Sequence, residues 1–118
     1  MTEYRRHPDL GPEFVWGPRT SFDTLPTALK LHGEILVSML DGVHGQWTAR
    51  LHLEDGLHAP LILRRCTDFN SGRHGAERWV LRHEEALRDK VARKLQWIQE
   101  HVAQHPASRA AGGMLLGR

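Results

Sequence analysis

The chain has 118 residues, a quarter of them charged, with a formal net charge of +2. A domain of that length buries a core without metal or disulfide staples, and the single cysteine, Cys66, leaves no partner for an internal disulfide, which suits a reducing cytoplasm. No apolar run approaches the roughly 20 residues of a membrane helix, and the amino-terminal MTEYRRHPDL carries no apolar stretch of the signal-peptide kind.

A pI near 9.1 raises the question of polyanion binding. Acids and bases nearly balance along most of the chain, however, and only residues 105–118 are one-sided, with Arg109 and Arg118. Basic character has to come from local clustering.

Residues 1–33 contain Pro8, Pro12, Pro18 and Pro26. Proline fixes φ and removes a donor, so the segment is expected to be an irregular amino-terminal arm. Its aromatic content predicts partial docking, around Phe22 and Leu25, and Thr27–Leu31 reads as one short helical turn. Glu34–Leu40 reads as a strand with Ile35, Val37 and Met39 on one side and Leu36, Ser38 and Leu40 on the other. Residues 41–45 form a glycine-bearing loop.

In Gln46–Glu54, Trp47, Ala49, Leu51 and Leu53 alternate with Thr48, Arg50, His52 and Glu54, the signature of a half-buried strand. Asp55-Gly56 signals a tight turn, and 58–66 a third strand. Strands 34–40, 46–54 and 58–66 then make an antiparallel meander. Ser71 is a candidate helix cap, with Gly72 and Gly75 delaying the helix to about residue 76. From there to His105, Val80, Leu87, Val91, Leu95, Ile98 and Val102 form one apolar stripe. A helix of that length runs roughly 40–45 Å, against about 27 Å for an eight-residue strand. It must overhang the sheet, bend, or break near Arg82–Glu85. Pro106 ends it, and residues 106–118 read as a disordered tail. The expected fold is α+β: a three-stranded antiparallel meander packed on one long carboxy-terminal helix, in a single domain over 34–105.

No P-loop, GxGxxG, GxSxG or CxxC motif is present. No reacting constellation can be named, so neither an enzyme nor a cofactor is expected. His101 and His105 lie four apart, but Val102, Ala103 and Gln104 between them supply no general base, and histidine at a helix end favours the dipole in any case. His52 and His58 flank the Asp55-Gly56 turn, with His44 on the adjacent loop; three imidazoles could bind zinc, but their strand faces differ if the alternation holds to Pro60. Cys66 beside Arg64 and Arg65 is either an activated thiol or a small buried apolar group. Trp79 and Trp97 share one helical angle and either cover the core or mark an interface.

The polar sheet face is the main candidate surface, with Thr48, Arg50 and His52 near Arg64, Arg65 next to them, and Arg73 beyond. Leu36, Leu40 and Ile62 would share it. This suits a protein partner as well as phosphates.

The segment Gln46-Trp47-Thr48-Ala49-Arg50-Leu51, followed by a second strand and by Phe69 before a long helix, resembles the AP2-like and integrase arm-type DNA-binding domains. Those domains pack three strands on one helix and read DNA with the open sheet face. The resemblance covers about residues 34–100 and implies that Arg50 and Arg64 contact DNA. The balanced charge departs from it, since phosphate contacts dominate such binding. The leading expectation is a cytoplasmic, non-enzymatic binding or interaction module, with an unknown protein partner or a homodimer through the long helix. A DNA-binding accessory domain is the alternative, and a histidine-based metal binder the third.

Overall fold

The computed structural model describes residues 4–54 and 58–104. The chain divides into two compact units, residues 1–88 and 89–118. The first unit holds one antiparallel sheet of five strands in sequential order, β1 (Phe14–Gly17), β2 (Ala28–Leu31), β3 (Glu34–Asp41), β4 (Trp47–Leu51) and β5 (Ile62–Cys66). Two helices follow, α1 (Phe69–Arg82) and α2 (Glu84–Gln104). The α+β class and the meander agree with the sequence. The strand and helix counts do not.

The amino-terminal arm is not irregular throughout, because it contributes β1 and β2. Its prolines fall outside those strands, so none removes a ladder donor. Ala28, Leu29 and Leu31 are buried in β2, where a helical turn was expected. A two-residue turn, His32 (φ 52°) and Gly33 (φ 85°), joins β2 to β3. Both residues have positive φ, the twist that suits a tight hairpin. Phe22 does not dock: it is 92% exposed.

A bulge shifts the β2–β3 register between Leu29 and Lys30. It allows the consecutive Leu36 and Val37 both to be fully buried, so Leu36 is not on the open face. The expected loop before β4 is present, closed by the Gly42 amide donating to the Gln46 carbonyl at 2.7 Å. Beyond β4, Leu51 pairs with Ile62. The connection therefore runs from His52 to Leu61. The Asp55-Gly56 turn itself lies outside the described residues.

Helix α1 begins at Phe69, seven residues earlier than expected. Its cap is Asp68, whose carboxylate accepts from the Ser71 amide at 2.8 Å and the Ser71 hydroxyl at 3.1 Å. The Ser71 amide bond comes first in holding Asp68 below the usual carboxylate range. A carboxylate depressed in the folded state contributes stability above its ordinary pKa and loses it as pH falls through the folded value. Asp68→Ala is accordingly expected to lower Tm at pH 7, and the gap from the native chain should close as pH falls below the ordinary aspartate range. A gap that stays constant over that range, followed by circular dichroism, would refute the capping role.

The helix does break within Arg82–Glu85, at His83 (φ −114°, ψ 20°). The His83 amide divides between the Trp79 and Val80 carbonyls, at 3.1 and 3.2 Å, and its Nδ1–H donates to the Trp79 carbonyl at 3.0 Å. That extra donor on the preceding turn accompanies the kink.

Helix α1 packs on β3, β4 and β5. Ala76, Trp79 and Val80 join Phe14, Leu29, Leu31, Met39, Ala49 and Leu51 in the core. Trp79 is 4% exposed, which makes it a core residue and not an open interface. The closest approach is at Gly72, where an added Cβ would lie 2.5 Å from Met39 Cε and 2.7 Å from Cys66 Sγ. In the second unit, the Arg93–Asp89 pair is 2.6 Å apart, and Leu95, Ile98 and Val102 are about two-fifths exposed, at 39%, 38% and 40%. No helix among the described residues is long and apolar enough to cross a membrane.

Candidate functional site

The β4–β5 register redistributes the arginines expected on one face. Residues paired across an antiparallel ladder point the same way. Thr48 pairs with Arg65 and Arg50 with Leu63, so Arg50 and Arg65 share the face away from α1. Arg64 pairs with Ala49, and Ile62 with Leu51, on the face that α1 covers. Arg64 is therefore not beside Arg50 and His52, and Ile62 leaves the open face too. A ten-residue connection, in place of the three residues between the expected strands 46–54 and 58–66, moved the register by one, and one step reverses every side chain. His52 reaches Ser38 across the sheet, Nε2 to Oγ 3.1 Å.

Arg73 is buried on the other flank of α1. Its guanidinium carbon lies 3.6 Å from the centre of the Tyr4 ring and 4.8 Å from that of Trp16, and Nη1 donates to Asn70 Oδ1 at 3.4 Å. Burial lowers its pKa, against the help of Tyr4 and Glu77. A guanidinium sandwiched between rings is a structural cation and not a phosphate contact. Beside it Glu77 is fully buried. One carboxylate oxygen accepts from the His7 amide at 2.9 Å, the other from Trp16 Nε1 at 2.8 Å. Burial first, then the charge of Glu77, pushes the Tyr4 hydroxyl well above its usual range. This cluster pins the amino-terminal arm to α1.

Two cavities flank the exposed side of α1. One, about 280 Å³, lies between β5 and α1 and is lined by Arg64, Arg65, Cys66, Ser71, Gly75 and Arg78 among others. The other, about 420 Å³, is lined by Arg5, Arg6, His7, His74, Glu77 and Arg78. Arg78 belongs to both walls. Among the described residues no carboxylate pairs with Arg5, Arg6, Arg64, Arg65 or Arg78. The Arg6 guanidinium donates to the Leu10 and Gly11 carbonyls, and Glu77 has both oxygens engaged. The result is a basic band across α1 with uncommitted positive charge over concave surface. Sequence reasoning missed Arg5, Arg6, His74 and Arg78. The Arg5-Arg6 doublet was a visible signal, but its docking against α1 depends on Glu77 and on His74 Nε2–H donating to the Arg5 carbonyl at 2.9 Å.

Cys66 is not an activated thiol. Burial pushes it up, Asp68 adds to the rise, and a backbone bond from Ala49 opposes it. Such a thiol reacts slowly with alkylating agents at neutral pH. Among the described residues no group of three His, Cys, Asp or Glu is placed to hold a metal. His105 lies outside them, while His101 stacks on Trp97, ring centres 3.9 Å apart. Trp97 is 59% exposed.

Comparison with known proteins finds no matching family model, no similar curated protein and no similar solved structure. The resemblance to AP2-like and integrase arm-type domains therefore rests on one short segment and element order, and five strands with two helices depart from their three and one.

Proposed function

We propose that this chain is a non-enzymatic binding module that captures an acidic partner on the basic band across α1. The observation that carries the reading is the convergence of Arg5, Arg6, Arg64 and Arg78 on two adjoining cavities without a carboxylate partner among the described residues. Unneutralised charge on a concave wall focuses the field on an incoming anion.

The test is fluorescence polarisation with a labelled ten-residue polyglutamate peptide at 50 and 300 mM salt. Salt-sensitive binding is expected, weakened about tenfold by Arg78→Glu, a single charge reversal at the shared wall. Arg50→Glu, on the far face, should leave it unchanged. No binding at low salt sinks the reading.

A second reading has its own observation. The register sets Arg50 and Arg65 together on the sheet face away from α1, both exposed, as a DNA-binding accessory domain requires. A 20-base-pair duplex retarded in a salt-dependent way, with retardation lost in Arg50→Glu and kept in Arg78→Glu, would select it. Self-association through the exposed α2 residues Leu95, Trp97, Ile98 and Val102 predicts a mass that rises with concentration in sedimentation equilibrium.

A further inference from the structure

Strand β5 is the carboxy-terminal edge of the sheet and pairs only with β4. Beyond that ladder, no backbone bond engages Ile62–Cys66 among the described residues. The Arg64 carbonyl accepts from the Cys66 thiol at 3.5 Å; otherwise an edge in this state offers a row of amides and carbonyls, the template on which an extended chain adds as a further strand. Two features set this edge apart from an ordinary solvated one. A cavity of about 280 Å³ opens alongside it, with the small residues Gly75 and Ala76 of α1 on its far wall. The edge is also apolar in its first half and cationic in its second, with Leu61 and Leu63 exposed by 62% and 52% before Arg64 and Arg65.

We infer that β5 accepts an acidic extended peptide segment as a sixth antiparallel strand, with the segment's carboxylates against Arg64, Arg65 and Arg78. This rests on the binding reading above and specifies its partner. The register predicts the order of the segment. An antiparallel partner meets Arg65 first, then Arg64, Leu63 and Ile62. It therefore reads acid, acid, apolar, apolar from its amino end. The first acid lies on the Arg65 face. The second lies on the α1 side, by Arg64 and the Arg78 wall of the cavity. A second copy of β5 is a poor occupant, because full antiparallel overlap sets Arg64 directly against Arg64, and like charges across a ladder are unfavourable.

The experiment uses the full chain and three capped, threonine-flanked peptides. The first contains two glutamates followed by two valines. The second carries the reverse order. The third repeats the first with alternate backbone nitrogens methylated, which removes strand donors and leaves every charge. Affinity is read by calorimetry, and protection by amide exchange in the nitrogen-15 spectrum. The first peptide is expected to bind at least about tenfold tighter than the other two and to slow exchange at alternate residues of β5. Arg64→Glu, an exposed substitution compatible with the fold, should erase the preference. Equal binding of the methylated peptide overturns strand addition while leaving the basic band as an anion site. If neither these peptides nor polyglutamate bind, the inference and the binding reading fall together. Tighter binding of a DNA duplex that displaces the first peptide overturns it in favour of nucleic acid.

Discussion

Replacing Glu77 by alanine is expected to destabilise the protein by about 3–5 kcal/mol, the range for breaking a buried charged network by removing one partner. Glu77 is fully buried, and its two oxygens satisfy donors that lie 70 and 61 residues away, the His7 amide and Trp16 Nε1. Truncation strands both donors and leaves the Arg73 guanidinium in its aromatic sandwich without the nearby negative charge. Each unsatisfied buried group costs about 1–3 kcal/mol. Glu77→Gln should lose less, because its amide oxygen can still accept from one of the two donors. Urea unfolding of the two variants gives the magnitudes. Trypsin cleavage at Arg5 and Arg6 reports whether the arm detaches before the sheet unfolds. A loss in Glu77→Ala below about 1 kcal/mol, the scale of one net hydrogen bond, would show that the arm is not held by this residue.

Gly72→Val should cost about 1–3 kcal/mol, the usual range for overpacking a filled site. A Cβ there meets Met39 Cε at 2.5 Å, Cys66 Sγ at 2.7 Å and Cys66 Cβ at 3.0 Å. The Met39 end can swing away, but Cys66 Cβ is fixed to β5, so α1 has to lift from the sheet. Gly75, three residues on, is the internal comparison: a Cβ there meets only Arg78 Nη2, at 4.0 Å. Gly75→Ala should therefore gain up to about 1 kcal/mol from helix propensity alone. Opposite signs at the two glycines, read as Tm shifts, would confirm that Gly72 sets the distance from α1 to β5 and with it the width of the cleft. Stabilisation by both would mean the contact at Gly72 relaxes without cost.

The candidate site was only partly legible. Arg64 and Arg65 stand out in the sequence, but its alternation puts Arg64 on the open face, whereas the register turns it to the α1 side. Arg78 and the Arg5-Arg6 doublet were not singled out, because each looks like an ordinary solvated charge until the fold brings them round one helix. In the sequence Arg73 reads as a surface cation. Nothing local distinguishes it from its neighbours, since the rings that enclose it come from Tyr4 and Trp16.

What the sequence determined by itself was whatever rests on local periodicity and local backbone chemistry. The alternation over Trp47, Ala49 and Leu51 set the inward face of β4, with Ala49 and Leu51 buried. The glycines of 42–45 marked the loop before it. The mismatch between helix and strand lengths left an overhang, a bend or a break near Arg82–Glu85 as the choices, and the break at His83 is the one the fold takes. Tertiary structure decided the rest, because the deciding energies come from partners distant in the chain. β1 and β2 are four residues each, too short to announce themselves and held by pairing and burial. The side that each residue of β5 faces follows from a register set across ten connecting residues. The burial of Glu77, and with it the docking of the arm that completes the basic band, exists only because Trp16 and His7 fold back onto α1.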